Sequence, residues 1–530
     1  MKFFNTAGPV NNEKHYCVEP LERINLEAIF SLIESEKYFI LHAPRQTGKT
    51  SCLLALMDYL NKEGKYKSLY FNVEAAQGAR EDVYRGIKSI LSEMSSRARS
   101  HLHDDFPDSI CFDILAKRGE DNALNQVLTL WSEKSEKPLI LLIDEIDSLV
   151  GDTLISVLRQ IRAGYDKRPK EFPQSIILCG VRDINDYRIH SSREKAIITG
   201  GSAFNIKAES LRIGDFSKED TEKLYHCHTQ ETGQKFTKEA IDIAWDLTCG
   251  QPWLVNALAY EVCFKIKEGR DRTKNITKDM ILKAKEDLIM RRETHLDQLA
   301  DKLKEERVKQ VIAPMLLGQT MDQIVDDDIQ YLIDLGLIRK TSSGLRISNP
   351  IYNEIIPRQL TIIAQYNLEP QYSPEWYIKA DNKLDMKKLI TAFQEFFREN
   401  SEHWIERFQY KEAGPQLLMQ AFLQRIVNGG GIVNREYGLG MMRTDLFIAW
   451  QYGENKEDRQ KIVIELKMLH KSLNKTLEQG LMQTAEYMDK CGADEGYLII
   501  FDKTKGKSWR KKIFKKEETF ENKKITIFGM

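Results

Sequence analysis

Between residues 38 and 213, short unbroken apolar runs alternate with stretches of helical period. The runs are YFILHA (38–43), SLYFNV (68–73), LILLID (139–144), SIILCGV (175–181) and the weaker SLRIG (210–214). A strand that alternates apolar with polar residues has one dry face, whereas a strand that is apolar throughout has two. Runs of this kind separated by helices predict a parallel sheet covered on both sides, hence a three-layer α/β domain over 1–215. From 216 to 290 the period becomes helical. In FSKED (216–220), Ser217 precedes Asp220 as in a capping box. FTKEAIDIAWDLT (236–248) starts the same way, and GQPWLVNALAYEVCFKI (250–266) spaces its apolar residues helically. These segments predict a small helical lid.

Residues 291–360 change the pattern again. ERVKQVIAPMLLG, DDDIQYLIDLGLI and RKTSSGLRISNPIYNEII read as helix, helix and Gly-tipped hairpin, the order of a winged helix. A plain helical connector gives the same pattern, and both readings stay open. Residues 361–385 carry Pro370, Pro374 and three Tyr with little periodicity, and read as a linker. A last domain, 386–530, opens with helices and continues in the strands IVNREYGL, TDLFIAW, KIVIELKML, GYLIIFD and KITIFGM. At roughly 150 residues per domain, the 530 residues make about three or four domains.

Composition narrows the classes. Lys and Arg number 78 against 79 Asp and Glu, for a net charge of -1, and hydrophobic residues make up 42%. That excludes a disordered chain, a collagen-like chain and a globally basic nucleic-acid coat. Contact with nucleic acid would need a local patch. One candidate is KSWRKKIFKK (507–516), and a solvated strand face is the alternative. The 8 cysteines are scattered without a CxxC pair, which predicts reduced thiols in the cytoplasm. The start, MKFFNTAGPVNNEKHY, has no apolar signal core, and no apolar run is long enough to span a bilayer. The HCH of 226–228 points in three directions on a helix and reads as structural.

APRQTGKT runs from Ala43 to Thr50, after an apolar strand and before the helical SCLLALMDYL. It is GxxxxGK[ST] with Ala43 in the first glycine position. Backbone N–H groups across Ala43, Pro44, Arg45, Gln46, Thr47, Gly48, Lys49, Thr50 and Ser51, with the following helix N-terminus, would cradle phosphate. Gly48 admits close approach, Lys49 would reach the β- and γ-phosphates, and the Thr50 hydroxyl would hold Mg²⁺. LILLIDEID ends a buried strand with Asp144 and Glu145. Asp144 would join the Mg²⁺ site and Glu145 would act as general base on the attacking water. Carboxylates at such a strand end need partners. SIILCGVRD ends in Arg182 and Asp183, where a γ-phosphate sensor would stand; a surface charge pair is the alternative. Arg159 and Arg162 follow on a helix, as an arginine finger or as solvated side chains. GQP (250–252) would open a lid helix near the nucleotide.

Together these residues resemble the P-loop ATPases of the AAA-like and STAND-like groups. GPVNNEKHYCVEPLER (8–23), APRQTGKT, LLIDEID, CGVRD, SAFNIKAESLRI (202–213) and GQPWLVN (250–256) are similar to one bacterial AAA-like domain family, over about residues 1–300. The resemblance implies an adenine nucleotide, which spacing does not give.

A second constellation lies near the C-terminus. Asp445 opens the strand of RTDLFIAW, and Glu465 and Lys467 sit in KIVIELKML beyond the polar turn GENKEDR (453–459). Period-two alternation puts Glu465 and Lys467 on one face and Ile462, Ile464 and Leu466 on the other. In a hairpin, Asp445 joins the first face. The two carboxylates and the Leu466 carbonyl would bind Mg²⁺, which would generate hydroxide and neutralise developing phosphate charge. Lys467 would position the water or stabilise the crowded phosphate oxygens. This arrangement resembles the PD-(D/E)xK nuclease superfamily as D…ELK, over about 405–530, and implies a restriction-endonuclease-like α/β domain. Gln483 and Tyr487 match the QxxxY element that in some members faces metal and DNA. The helix before the hairpin, PQLLMQAFLQRIV, departs from the pattern in lacking an acid, and Glu412 just upstream is the nearest.

The expectation is an ATP- and Mg²⁺-dependent ATPase coupled to a Mg²⁺-dependent nuclease-like domain. Its partner would be nucleic acid, DNA before RNA, with no membrane; a homo-oligomer is compatible. The alternative is a STAND-type nucleotide switch whose C-terminal domain only binds nucleic acid or a partner.

Overall fold

The computed structural model describes residues 1–183, 188–191, 196–199, 201, 204–291, 301–303, 305–317, 326–342, 344–360, 377–407, 419, 422–423, 431–439, 442–452, 458–469, 472–502, 504 and 507–530. The chain divides into two compact units. One comprises Met1–Asp297 with Gln323–Tyr352, the other Gln298–Asp322 with Asn353–Met530. The segment 291–360 therefore contributes to both.

The first unit is built on five parallel strands: β1 (Tyr38–His42), β2 (Lys67–Asn72), β3 (Leu139–Asp144), β4 (Ser175–Gly180) and β5 (Lys207–Arg212). Their order is β2-β3-β4-β1-β5. Each falls on one of the apolar runs, and β3 and β4 are buried at every position. Alternate side chains supply two cores. Leu139, Leu141, Ile143, Ile176 and Leu178 face one, and Ile140, Leu142, Ile177 and Cys179 face the other. Helices α1 (Leu26–Glu34) and α2 (Lys49–Glu63) cover the second face through Ile29, Ile33, Leu53, Leu56 and Leu60. Helices α3 (Val83–Leu102), α4 (Phe106–Arg118), α5 (Ala123–Lys134) and α6 (Gly151–Ala163) cover the first, around a fully buried Trp131. The result is a P-loop NTPase-like α/β fold. Because β4 lies between β1 and β3, the loop after β1 and the tip of β3 share the carboxyl edge of the sheet, where open α/β sheets bind ligands.

A helical region follows as α7 (Lys218–Thr232), α8 (Lys238–Thr248), α9 (Pro252–Tyr260) and α10 (Lys278–Arg291). Ser217 and Asp220 form a reciprocal capping box on α7, and Thr237 caps α8. His228 is buried, with ring nitrogens 3.3 Å from the Tyr16 hydroxyl and 3.0 Å from Gln234 Oε1, a packing role. Further along, α11 (Asp326–Asp334) leads into the antiparallel hairpin of β6 (Ile338–Thr341) and β7 (Gly344–Ile347).

The second unit holds a six-stranded mixed sheet of β8 (Gly431–Leu439), β9 (Met442–Tyr452), β10 (Asp458–Met468), β11 (Glu495–Phe501), β12 (Phe514–Phe520) and β13 (Lys523–Gly529). The order is β8-β9-β10-β11-β13-β12. Strands β8 to β10 form an antiparallel meander, β11 and β13 continue parallel to β10, and β12 closes the edge antiparallel. Even-numbered Ile462, Ile464 and Leu466 join a core with Leu389, Ile390 and Phe393 of α12 (Met386–Arg407). Val463 and Phe447 join the opposite core with Leu481, Ala485 and Met488 of α13 (Leu473–Cys491). Among the described residues, no helix is long and apolar enough to cross a membrane.

Candidate nucleotide site and candidate metal site

The loop after β1 turns through Gln46 at φ +58° and Gly48 at φ +88°, and Gly48 caps α2. A side chain at Gly48 would be strained by that φ, and its Cβ would stand 2.6 Å from Arg23 Nη1. Ala43 has no positive φ. It packs with Cys52 and Ile213, so the first loop position needs a small residue rather than glycine. Thr47 Oγ1 donates to Pro44 O at 2.7 Å, which tightens the turn. Arg45 and Gln46 are exposed on its rim. Lys49 is 5% exposed, and its ammonium donates to Ala43 O and Pro44 O at 3.1 and 3.2 Å. Among the described residues no carboxylate forms an ion pair with it.

Thr50 Oγ1 donates to Asp144 Oδ2 at 2.7 Å, across 94 residues of chain. Asp144 is fully buried. Its carboxylate also accepts from Tyr70 OH at 3.1 Å and from the backbone N–H of Glu145 at 2.9 Å. Burial, with the Asp144 charge beside it, pushes the Tyr70 phenol up, so it remains a donor. Glu145 stands at φ +57°. Burial raises its carboxyl above the ordinary range, Lys49 pulls the other way, and Asp147 and Asp144 add to the rise.

Arg23 ends the segment GPVNNEKHYCVEPLER (8–23), whose likeness to the family gives it no role. Its guanidinium donates to Thr47 O at 2.5 Å and to Gly214 O at 2.8 Å, and it lies 4.7 Å over the Phe216 ring. It joins the loop after β1 to the segment that leads into α7. Ser51 accepts from the Val10 N–H at 3.0 Å, and Trp253 Nε1 donates to Thr6 O at 2.9 Å, which holds the N-terminal segment between α2 and α9. A cavity of about 110 Å³ opens there, lined by Gly8, Gln46, Gly48, Phe216, Pro252 and Asn256 among others. That is well above the roughly 10–15 Å³ that a single water needs.

Arg182 stands just past β4. Its Nε is 3.7 Å from Asp334 Oδ2, and its guanidinium lies 4.8 Å over the Tyr331 ring. Gly336, at φ +74°, packs so close to the loop that a Cβ would meet Pro44 at 2.8 Å. Arg212 donates to Ile333 O at 3.2 Å. The 331–336 segment thus lies against the carboxyl edge of the sheet. Asp183 pairs with Lys207 at 2.6 Å and accepts from Ser210. Arg159 and Arg162 are on the exposed side of α6.

In the second unit, Lys467 Nζ donates to Glu465 Oε1 at 2.7 Å, and Glu465 is 3% exposed. Both share the parity of Val463, which faces α13. Leu446 pairs with Ile464 in the β9–β10 register, so Asp445 and Glu465 are the next residues outward on adjacent strands. The Asp445 side chain and all of Glu412 lie outside the described residues. Leu466 pairs with Ile499. Tyr487 is buried in the core under α13, and Gln483 Oε1 is buried with no hydrogen-bond partner among the described residues. Among the described residues, no three His, Cys, Asp or Glu side chains converge as metal ligands.

A family model described as "AAA-like domain" matches residues 8–357, more than half of the chain. No curated protein matches. Among solved structures, the Walker-type ATPase PABY2304 of Pyrococcus abyssi is 15% identical, with a TM-score of 0.44 over 67% of this chain and 99% of that one. The Thermotoga maritima RuvB Holliday junction branch migration motor is 14% identical, with a TM-score of 0.33 over 63% and 96%. Domain III of the Thermotoga maritima replication initiation protein DnaA is 13% identical, with a TM-score of 0.32 over 53% and 98%. Likenesses this distant carry no argument about function. On the match over residues 8–357, the chain belongs to the AAA-like domain family.

Proposed function

We propose that the first unit binds ATP with Mg²⁺ and hydrolyses it. The observation that carries this reading is the 2.7 Å contact between Thr50 Oγ1 and Asp144 Oδ2 beside the buried Lys49. A hydroxyl and a carboxylate oxygen are the hard donors Mg²⁺ takes, and Thr50 and Asp144 would hold it. When bound, Mg²⁺ would supply positive charge to the β- and γ-phosphates. Lys49, already stripped of water, would exchange its two carbonyl partners for phosphate oxygens. Glu145 would take the proton of the attacking water, and its raised carboxyl suits that role near neutral pH. MgATP turnover by the purified chain tests this. Glu145→Gln should bind MgATP and lose turnover by about 10²–10⁴-fold, and equal turnover would remove Glu145 from the role.

The proposal extends to the second unit as a Mg²⁺-dependent nuclease-like domain acting on nucleic acid. Its support is the succession α12, three antiparallel strands, α13 and a parallel strand, with Glu465 and Lys467 hydrogen-bonded under α13. Asp445, Glu465 and the Leu466 carbonyl would hold Mg²⁺, and Lys467 would orient the attacking water. Plasmid and single-stranded DNA cleavage lost in Glu465→Gln is the expected result. An unchanged cutting rate in that variant would dismiss the site.

The contact of Arg182 with Tyr331 and Asp334 favours a second reading. In it the chain is a STAND-type switch, nucleotide state controls the 331–336 segment and assembly, and the second unit only binds nucleic acid or a partner. Slow turnover with nucleotide-dependent oligomerisation would support it.

A further inference from the structure

The second unit carries a cluster of cations that neither proposed site uses. Between β11 and β12, KSWRKKIFKK (507–516) holds six Lys or Arg and no acid. Asp502 neutralises Lys507 at 2.6 Å, and Glu518 neutralises Lys516. Arg510, Lys511, Lys512 and Lys515 form no ion pair among the described residues. Arg510, Lys511 and Lys515 are exposed. The short helix α14 (Trp509–Lys512) is held in place beneath them. The Trp509 ring stands edge-on to Phe397 of α12 at 6.0 Å, with the Lys512 ammonium 5.2 Å from its centre. A Cβ at Gly529 would meet Lys512 O at 2.6 Å, so the end of α14 lies against β13.

The strand register locates the cluster. Lys467 of β10 is level with Ile500 of β11, Ile500 with Gly529 of β13, and Gly529 with Phe514 of β12. Strands lie about 4.8 Å apart, so three steps put Phe514, at the foot of α14, roughly 15 Å from Lys467. Both stand at the carboxyl ends of β10, β11 and β13. Four like charges on one rim attract a polyanion. Among the described residues of this unit, Met482 on α13 is the exposed large apolar side chain, so the cluster has nothing to insert into a bilayer. Trp509 is committed to Phe397 and Lys512, so the rim presents chiefly charge and no ring for a base.

We infer that Arg510, Lys511, Lys512 and Lys515 bind the phosphate backbone of nucleic acid without regard to sequence, and lay it along the sheet edge toward Glu465 and Lys467. The inference rests on the nucleic-acid reading of the second unit and deepens it. At about 3.4 Å of rise per base step, roughly 15 Å is about four steps, so a single helical turn would cover both places.

The test measures binding of a DNA duplex of about 30 base pairs to the full chain by fluorescence anisotropy, in EDTA, across about 50–300 mM KCl. Each phosphate contact contributes about 0.9 to the slope of log K against log salt. With all four cations changed to Gln, the slope should flatten by about 3–4, and affinity at about 0.1 M salt should fall at least 100-fold. Arg510→Gln alone and Lys511→Gln alone, both at exposed positions, should each flatten it by about 1. Gln at the exposed Lys62, Arg85, Lys88 and Arg118 of the first unit removes the same charge and should leave the slope as in wild type. A duplex of unrelated sequence should bind alike. Unchanged slopes in the cluster variants, or equal flattening by the first-unit control, overturn the inference; cutting that Glu465→Gln abolishes would then leave the nuclease reading standing without it. Wild type that binds vesicles of anionic lipid more tightly than the duplex, and loses them with the four cations, overturns it in favour of a membrane surface. No duplex binding even at about 50 mM salt removes the inference, and absent cleavage as well removes the nucleic-acid reading with it.

Discussion

Replacing Lys49 with Met separates fold stability from nucleotide binding. Met fills a similar volume, so no cavity opens. The variant loses two hydrogen bonds from an ammonium to Ala43 O and Pro44 O, at 3.1 and 3.2 Å. Bonds of that charged kind contribute about 1.5–3 kcal/mol each. Against this, the ammonium is 5% exposed and pairs with no carboxylate among the described residues, and burying such an ion costs several kcal/mol. The two terms nearly cancel, and the ligand-free variant should stay within about 2 kcal/mol of wild type. Nucleotide binding has no such offset. Losing two charged bonds to phosphate costs about 3–6 kcal/mol, or roughly two to four orders of magnitude in Kd. Calorimetry with MgATP gives the second quantity, and thermal unfolding with and without MgATP gives both. At a ligand level of about 100 Kd, wild type gains about 2.7 kcal/mol, and the variant should gain almost nothing. A folded Lys49→Met protein that binds MgATP within about fivefold of wild type would refute the assignment of Lys49 to phosphate.

Two pH predictions follow from buried groups near the loop. The Glu145 carboxyl is raised by burial. A raised group stabilises the fold below its unfolded pKa, and that stabilisation disappears as pH rises through the folded value. Glu145→Gln should therefore be more stable than wild type at pH near 8, with the difference closing below about pH 4; a constant difference across that range would contradict the buried-acid reading. His42 is shifted the opposite way, from 6.5 to about 4, by burial first and by Arg212 next, with Lys207 and Lys49 adding and Asp183 opposing. Its contribution is present above pH 6.5 and is lost as pH falls through about 4. Urea midpoints of His42→Leu should fall less steeply than those of wild type over this window, and parallel slopes would assign the acid sensitivity elsewhere.

The parts legible in the sequence are those whose physics is local. A run such as LILLID must be dry on both faces, and β3 is buried at every position. Gly48 announces a positive φ, and Ser217 announces a helix start, because each acts within a few residues. The strand order is not local, and nothing in the runs says that β4 separates β1 from β3. Arg23 reaches Thr47 O from the last position of GPVNNEKHYCVEPLER, a segment whose likeness to the family gives that side chain no task. Tyr70 looks like one more apolar residue of SLYFNV until its hydroxyl is found on Asp144. Arg182 meets Asp334 across 152 positions of chain, a pairing that no pattern encodes. In the second unit, FKKEETF carries charge at most positions and reads as part of a basic tail. It is the edge strand β12, where exposed charge discourages pairing with another sheet.

The most direct test is a crystal of the full chain grown with Mn²⁺ and a non-hydrolysable ATP analogue, read by anomalous scattering. The expected result is a manganese peak within bonding distance of both Thr50 Oγ1 and Asp144 Oδ2, with the analogue's terminal phosphates on Lys49. An analogue bound with its manganese away from that pair, or one that does not bind, contradicts the ATP site.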